Sequence, residues 1–387
     1  MKLLQTSLLL AIVALLGACQ CNEPKDEMVV MAYFMAPDDY QPENLPLEKM
    51  SHIIYSFTKV IDNQMQFSDP SESAKLNQLV AQKEKHPHLK VMIACGGWGG
   101  SGGFSDMALN PETRAQFIES AIRFLEEHQL DGLDLDWEYP GLPGIGNTHR
   151  DEDKENFTAL VKGLREAMDA TGKKYLLTFA SAGWEKYYNF VELNEVMKYV
   201  NYMNVMTYDN VGGHDPFTAH HTNLGAISLK DLQGTPAKAS IDTMSSPIKP
   251  LSAEAIIDFC ISKGVKSEQI VIGAAFYGRG WTGVGPENNG LYQPTTEGWQ
   301  GASFADLQAK YINKNGYVRH WDSIAHAPYL YSETDSIFIT YDDQESVKLK
   351  TQYAKDKNLG GIMFWQLPSD APENGLLDAI YQQVTKE

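Results

Sequence analysis

Apolar and polar positions follow two distinct patterns along this chain. Short apolar runs, rich in β-branched and aromatic residues and bounded by Gly, Pro or Asp, are typical of buried strands. Between them, apolar residues recur at helical spacing, as in residues 110–125, where Asn110 is a candidate N-cap and Pro111 stands in the first turn. The strand candidates span residues 28–34, 52–60, 90–95, 131–140, 174–180, 200–207, 269–276 and 359–366.

This alternation of strands and helices predicts a parallel α/β fold. Eight strand candidates favour a (β/α)8 barrel, and a doubly wound sheet is the alternative that the pattern alone leaves open. Polar or aromatic residues gather at the carboxyl ends of the third, fourth, sixth, seventh and eighth strands. Because barrels carry their active sites at that end, this placement favours the barrel.

Residues 281–340 interrupt the alternation. They are rich in Gly, Tyr, Asp and Ser and contain short alternating runs, which predicts a small α+β unit inserted between strands seven and eight. Residues 210–250 form another long connection, and we expect it to shape a cleft because it is too long for a plain turn. The remainder of residues 28–387 is assigned to the barrel.

The first residues have the pattern of an export signal. Lys2 supplies a positive charge, and Leu8 to Leu16 is an apolar run too short to span a bilayer comfortably. The following Leu-Gly-Ala-Cys resembles a bacterial lipoprotein box, so residues 1–18 are predicted to be a signal peptide and Cys19 the lipidated residue. Residues 19–27 then form a polar tether. Ordinary secretory cleavage is the alternative, and Gln20 carries no signal for inner-membrane retention, so we expect a lipid-anchored protein at the outer membrane or cell surface.

Composition excludes some partners. The formal charge of −18 argues against nucleic acid, which requires a basic surface. The apolar fraction of 43% is that of a globular protein. Cys95 and Cys260 each lie inside an apolar segment, so neither a disulfide framework nor zinc-ligand spacing is indicated.

The segment Asp131 to Pro140, DGLDLDWEYP, carries the candidate chemistry. In a strand, Asp134, Asp136 and Glu138 would face the same side at intervals of roughly 6–7 Å. Like charges and burial both raise the pKa of a carboxyl group, so one of the three is expected to hold a proton near neutral pH, as a general acid must. The residues alone leave acid–base catalysis about equally weighted against a metal-binding or structural role.

The same segment resembles DGxDxDWE, the signature of glycoside hydrolase family 18, which contains the chitinases. Three further segments are similar to motifs of that family: Gly96-Gly97-Trp98, Met206-Thr207-Tyr208-Asp209 and Phe276-Tyr277-Gly278-Arg279, with Met363-Phe364-Trp365 at the end of the eighth strand. The likeness covers residues 28–387, and residues 281–340 resemble the α+β insertion of the deep-cleft chitinases. One departure is Ala94, where the family has a Ser that supports the acid row, so the resemblance predicts weaker hydrogen bonding of Asp134.

The resemblance implies a substrate-assisted retaining mechanism. Glu138 would protonate the glycosidic oxygen, and the substrate's own 2-acetamido oxygen would attack the anomeric carbon. Asp136 would orient the acetamido N–H, and Tyr208 would hold the acetamido oxygen. Asp134 would lie deeper and exchange a proton with Asp136.

A group of further residues is predicted to bind substrate. Trp365 would stack beneath a sugar ring and Trp98 beneath the next sugar on the leaving side, although core packing is the alternative for each. The other candidates are Tyr33, Phe57, Gly97, Tyr139, Met206, Asp209 and Arg279. His214, His220 and His221 lack metal-ligand spacing, so neither a metal nor a cofactor is predicted.

The function expected from these residues is that of a chitinase that hydrolyses β-1,4-linked N-acetylglucosamine. Its partners would be chitin or N-acetylglucosamine oligosaccharides and, through the lipid, a membrane; the protein is expected to be a monomer. Two alternatives stay open: an endo-β-N-acetylglucosaminidase acting on the core of N-glycans, and a catalytically inactive chitin-binding lectin. Glu138 disfavours the lectin, and the family-like insertion favours the chitinase.

Overall fold

The computed structural model describes residues 28–243 and 251–386. The predicted signal peptide, the tether and the lipidation site at Cys19 lie outside these residues. The strands are β1 Val29–Phe34, β2 His52–Ile61, β3 Gln64–Gln66, β4 Lys90–Gly96, β5 Gly132–Asp136, β6 Leu176–Ala182, β7 Tyr202–Met206, β8 Ile270–Ala275, β9 Tyr277–Thr282, β10 Glu297–Ser303, β11 Val318–Asp322, β12 Ala327–Ser332, β13 Ile337–Thr340 and β14 Gly361–Trp365. The α-helices are α1 Glu72–Ala81, α2 Phe104–Leu109, α3 Pro111–Glu127, α4 Asp153–Ala170, α5 Leu193–Val196, α6 Pro236–Thr243, α7 Ala253–Ser262, α8 Phe304–Asp306, α9 Gln344–Asp356 and α10 Leu376–Val384.

Strands β1, β2, β4, β5, β6, β7, β8 and β14 form a closed parallel barrel. They pair in that order around the ring, and β1 closes it by pairing with both β2 and β14. Helices follow most of the strands, as expected when a crossover must return the chain for the next parallel strand. The predicted (β/α)8 barrel is confirmed.

Side chains alternate between two apolar layers along each barrel strand. On β1, Val29, Met31 and Tyr33 belong to a small cluster inside the barrel. Val30, Ala32 and Phe34 belong to the larger core between the strands and the surrounding helices. This period of two follows from strand geometry, and it decides which side chains of β5 face the barrel interior.

A second, antiparallel sheet is inserted between β8 and β14. Its strands pair in the order β10-β9-β13-β12-β11. The predicted start of this unit at residue 281 is wrong, because β9 of the second sheet already begins at Tyr277. The chain leaves the barrel at Phe276, one residue after the last strand residue of β8. Tyr277 and Arg279 therefore stand on the inserted sheet.

The described part of the predicted long connection, residues 210–243, packs against this inserted sheet and contains α6. Phe217 pairs with Pro294 in an isolated antiparallel bridge, and Thr218 N donates to Gln293 O at 2.9 Å. Connection and insertion therefore form one wall above the barrel mouth. Within the described ranges, no helix is both long and apolar enough to span a membrane.

Candidate active site

The three carboxylates of the acid row face the barrel interior, as the alternation predicts. Strand β5 ends at Asp136, so Glu138 lies two positions beyond the strand rather than within it. The exposed fractions are 0% for Asp134, 5% for Asp136 and 9% for Glu138. Leu133, Leu135 and Trp137 lie in the outer core instead. The three acids are thus buried, and their exposure increases from Asp134 toward Glu138 at the carboxyl end of the strand.

Asp134 is the deepest acid and is well supplied with hydrogen bonds. Its Oδ1 accepts from Thr178 Oγ1 at 2.6 Å and from Asn204 Nδ2 at 3.2 Å, and its Oδ2 accepts from the Tyr33 hydroxyl at 2.9 Å. Burial raises the pKa of Asp134 to about 6, and these three donors oppose that rise. Ala94 pairs with Asp134 across the sheet and provides no donor. Other strands supply the three donors of Asp134, and the weaker hydrogen bonding expected from Ala94 stays a prediction.

Asp136 lies above Asp134 and carries an unusual buried oxygen. Its Oδ1 is shielded from solvent and has no hydrogen-bond partner among the residues that the structure describes. Burial raises the pKa of Asp136 well above its usual range, and the nearby charges of Glu138 and Asp134 raise it further. A buried acceptor without a partner is costly, so this oxygen is suited to a donor that arrives with a ligand.

Glu138 is held at its backbone by two hydrogen bonds, and its carboxyl group accepts one from Tyr139. Its N–H donates to Ser101 Oγ at 2.9 Å, and Asn147 Nδ2 donates to its carbonyl oxygen at 2.9 Å. Burial raises the pKa of its carboxyl group to about 7; a hydrogen bond from Tyr139 opposes this rise, and the charge of Asp209 adds to it. Glu138 can therefore hold a proton at neutral pH, as a general acid requires.

Two glycines bring the loop after β4 close to the acid row. A Cβ on Gly96 would lie 2.0 Å from the Asp136 carbonyl oxygen, and one on Gly97 would lie 2.8 Å from the Phe57 ring. Both residues also have positive φ angles, which glycine adopts most readily. Gly97 is not among the residues that line the cleft, whereas its neighbours Gly96 and Trp98 are, so its substrate contact stays a prediction. Its contribution is the close packing that positions Trp98.

A cleft of about 1080 Å³ opens above the acids, at the upper end of the range for small-molecule sites. Trp98 is 51% exposed there and lies 6.4 Å from the ring of Tyr139. Trp365 stacks on Phe57 with ring centroids 5.5 Å apart. The predicted residues that line the cleft are Tyr33, Phe57, Trp98, Asp136, Glu138, Tyr139, Met206, Tyr208, Asp209, Arg279 and Trp365.

Asp209 and Arg279 form an ion pair on the wall of the cleft. Arg279 binds both carboxylate oxygens, with Nη2 at 2.6 Å from Oδ2, and the Tyr277 hydroxyl donates to Oδ1 at 2.8 Å. Although burial raises it, Arg279 and the neighbouring His221 hold the pKa of Asp209 well below its usual range. Asp209 is therefore a fixed negative charge that contributes to the raised pKa of Glu138.

Tyr208 lies beside this pair with its hydroxyl available for a ligand. The hydroxyl contacts Met363 Sδ at 3.8 Å, and sulfur is a weak acceptor. Burial raises the pKa of Tyr208 well above its usual range, so the phenol stays protonated and can donate.

Several residues of the site were not predicted from the sequence. Thr178 and Asn204 hold Asp134, and Ser101 joins Glu138 N to the carbonyl oxygens of Gly97 and Asp136 at 2.9 and 3.0 Å. Asn204 could have been found as the one polar residue inside an apolar strand. The cleft is also lined by Met35, Lys59, residues 211–214, Tyr277 and residues 300–303.

The three histidines of the predicted connection, His214, His220 and His221, each lie in a different environment. His220 Nε2 lies 3.1 Å from Asp322, and His221 Nδ1 lies 3.5 Å from Asp209 Oδ1. His214 is at the rim of the cleft. Across the described ranges, no group of three His, Cys, Asp or Glu residues is arranged to hold a metal ion.

Comparison with known proteins identifies the family. The sequence model described as "Glycosyl hydrolases family 18" matches residues 29–370, which is most of the chain. The chain belongs to glycosyl hydrolase family 18. The chain is 42% identical over 314 residues to chitinase A1 of Niallia circulans, and the match covers 78% of this chain. The match spans only 44% of that relative, so the chain corresponds to less than half of it.

Two further matches cover most of the chain. Chitinase B of Serratia marcescens is 29% identical over 388 residues, covering 86% of this chain and 76% of that protein. A solved structure of a family 18 N-acetylglucosaminidase from Paenibacillus barengoltzii is similar to this chain, with a TM-score of 0.81 and 37% sequence identity. The match covers 92% of this chain and 100% of the other chain.

Proposed function

We propose that this family 18 protein is a chitinase that hydrolyses β-1,4-linked N-acetylglucosamine by a substrate-assisted retaining mechanism. The observation that carries the proposal is the pair formed by Glu138 and Asp136. The first is buried with a pKa raised to about 7, and the second presents a buried carboxylate oxygen that has no partner among the described residues. Family 18 is an exception to the usual two-carboxylate mechanism of glycosidases.

In the first step, Glu138 donates its proton to the glycosidic oxygen. The C–O bond to the leaving sugar breaks, and the 2-acetamido oxygen of the remaining sugar bonds to the anomeric carbon, which forms an oxazolinium ion. Asp136 Oδ1 accepts a hydrogen bond from the acetamido N–H and stabilises the positive charge that develops there. Tyr208 donates to the acetamido oxygen and orients it for attack.

In the second step, Glu138 acts as a base. Its carboxylate takes a proton from water, the water oxygen bonds to the anomeric carbon, and the acetamido group is released. Two inversions at the same carbon leave the configuration retained. Asp134 would share proton and charge with Asp136 through this cycle, since the charge of Asp134 raises the pKa of Asp136.

Aromatic side chains support binding on both sides of the broken bond. Trp365, stacked on Phe57, provides a flat apolar surface for the sugar that carries the acetamido group, and sugar rings have an apolar face that packs on such surfaces. Trp98 is exposed and adjacent to Tyr139, which suits the sugar on the leaving side. Arg279 and Asp209 would hold hydroxyl groups at the wall.

The names of the relatives support two patterns of cleavage. Chitinase A1 is named for action on chitin, and the structural relative with 37% identity is an N-acetylglucosaminidase. We therefore propose cleavage to the disaccharide, and release of the monosaccharide from a chain end is the second candidate. The α+β wall above the barrel mouth favours a long bound chain over a single sugar.

Products from a panel of substrates distinguish the candidates. The protein is incubated with N-acetylglucosamine oligomers and, separately, with an N-glycosylated protein, and products are identified by mass spectrometry. Disaccharide from oligomers is the expected result. Monosaccharide alone indicates the N-acetylglucosaminidase, glycan release without oligomer cleavage indicates the N-glycan endoglycosidase, and tight binding without turnover indicates the lectin.

The cellular location is part of the same proposal. We propose that Cys19, which lies outside the described residues, carries a lipid and anchors the exported enzyme to the outer membrane or cell surface. The support is the apolar run that ends in Leu-Gly-Ala-Cys. The anchored enzyme would act on chitin or its oligomers as a monomer, without nucleic acid.

A further inference from the structure

His221 is a buried histidine that the proposed mechanism does not use. Its side chain has an exposed fraction of 0%, and its Nδ1 lies 3.5 Å from Asp209 Oδ1. Neither ring nitrogen has a hydrogen-bond partner of good geometry among the described residues. Its main chain is fixed, because its N–H donates to Thr340 Oγ1 at 3.1 Å and its carbonyl accepts from Asn210 N at 3.1 Å. The imidazole is therefore held beside Asp209 without bonding to it.

In the structure, the carboxylate of Asp209 accepts hydrogen bonds from two side chains that line the cleft. Arg279 binds both carboxylate oxygens and Tyr277 binds Oδ1. The Arg279 side chain is 40% exposed and lines the cleft, so it is the partner that a sugar can reach. A guanidinium has five N–H donors, and it can turn some of them toward sugar hydroxyl groups.

Turning Arg279 toward a sugar would leave Asp209 short of partners. Asp209 is 42% exposed, but it lines the cleft that a bound sugar would fill, and a carboxylate that loses both water and its cationic partner is destabilised. The negative charge of Asp209 also adds to the raised pKa of Glu138. A second donor within reach of Asp209 Oδ1 would remove this conflict.

We propose that His221 is a positioning residue that takes over from Arg279 as a hydrogen-bond donor to Asp209 Oδ1 when a sugar engages Arg279. The inference rests on the proposed function, since it requires an oligosaccharide in this cleft. Closing the gap from 3.5 Å to a normal hydrogen bond needs a movement of only about half an ångström. No proton is transferred, because the imidazole donates its Nδ1–H and keeps it.

The charges that face His221 favour a neutral imidazole. Burial and the cation Arg279 lower its pKa, whereas the carboxylates Asp209 and Asp342 raise it, and burial has the largest effect. Asp342 is itself neutralised by Lys350 Nζ at 2.7 Å, and that lysine is fully buried. Tyr277 packs on the ring from the cleft side, with centroids 5.3 Å apart. A neutral donor leaves Asp209 charged when Arg279 turns away.

Nuclear magnetic resonance of the His221 ring tests the exchange directly. The protein is labelled with 15N-histidine in a Glu138→Gln background, so that oligomers bind without turnover, and His221→Asn assigns the signal. The expected result is a ring protonated at Nδ1 whose Hδ1 signal moves downfield when the N-acetylglucosamine tetramer is added. Arg279→Gln should show the moved signal without any sugar. The proposal is overturned if the ring is protonated only at Nε2, or if the chemical shift of the Hδ1 signal does not change when the tetramer binds.

Steady-state kinetics gives an independent readout. His221→Phe should raise KM for the tetramer about tenfold with kcat nearly unchanged, because the interaction supports binding of substrate and transition state alike. His221→Asn, whose amide can donate, should recover part of the loss. His220→Phe is the matched control: this neighbour is equally buried but bonds Asp322, so it should lower stability without raising KM.

The outcomes separate this inference from the function on which it rests. If the wild-type protein neither binds nor cleaves the tetramer, the proposed function fails and the inference fails with it. If the wild type cleaves the tetramer but His221→Phe leaves KM unchanged, or His220→Phe raises KM equally, only the role of His221 is refuted.

Discussion

Replacing Thr178 with valine removes the shortest hydrogen bond to Asp134 and almost preserves the size of the side chain. Thr178 Oγ1 lies 2.6 Å from Asp134 Oδ1, and both residues are fully buried. A hydrogen bond to a charged group contributes about 1.5–3 kcal/mol. Since one pKa unit corresponds to about 1.36 kcal/mol, the pKa of Asp134 should rise by roughly one to two pH units from its value of about 6.

The proton balance gives the direction of the effect on stability. The pKa of Asp134 in the folded protein lies above its ordinary value of 3.8, so the folded state keeps a proton that the unfolded chain has released. Stability therefore falls as the pH rises from about 4 to the folded-state pKa, and it is level above that value. In Thr178→Val the fall continues to a higher pH. The variant should lose about 1.5–3 kcal/mol near pH 8 and about 1 kcal/mol or less near pH 4.5, where Asp134 is protonated in both proteins.

Urea unfolding followed by tryptophan fluorescence at the two pH values measures this difference. Thr351→Val is the matched control, since Thr351 is also fully buried and its hydroxyl donates to the Val347 carbonyl oxygen at 2.7 Å rather than to a titrating group. Its loss of stability should be the same at both pH values. An equal loss for Thr178→Val at both pH values would refute the coupling between this hydroxyl and the charge of Asp134.

Three further outcomes are expected. The kcat/KM of the wild type on N-acetylglucosamine oligomers should fall about tenfold per pH unit above pH 7, because Glu138 must be protonated; a level profile to pH 9 contradicts this. Trp98→Ala should raise KM for oligomers about tenfold, because the stacking of a sugar ring on the indole is lost. Trp321→Ala, which lies outside the cleft, is the control and should not raise KM; equal effects of the two variants would count against Trp98 as the binding surface for the leaving-side sugar. Cells supplied with a palmitate analogue should label the wild type and not Cys19→Ala, and label retained by the variant rules out the anchor.

The barrel and its acid row could be predicted because both depend on short-range patterns. The alternation of Leu133, Asp134, Leu135 and Asp136 places acids inward in any strand with one apolar face, and the structure confirms this. The boundary of the insertion was wrong because Phe276 and Tyr277 are adjacent aromatic residues, and no local signal marks the change from the barrel to the second sheet.

The hydrogen bonds of the site could not be predicted because they join distant parts of the chain. Tyr33 reaches Asp134 across 101 positions, and Asn204 reaches it across 70. The expected weakness at Ala94 followed from one neighbouring strand, whereas the donors come from three others. His221 and Asp209 likewise meet only when the connection after β7 folds back beneath the inserted sheet.

The measurement that tests the central claim most directly is hydrolysis of the N-acetylglucosamine tetramer by the wild type and by Glu138→Gln, followed by proton magnetic resonance. The wild type should release the β-anomer first, because the acetamido group attacks and water replaces it at the same carbon. Glu138→Gln should bind the tetramer and cleave it about a hundred to ten thousand times more slowly. Initial release of the α-anomer, or turnover by Glu138→Gln at the wild-type rate, would contradict the account.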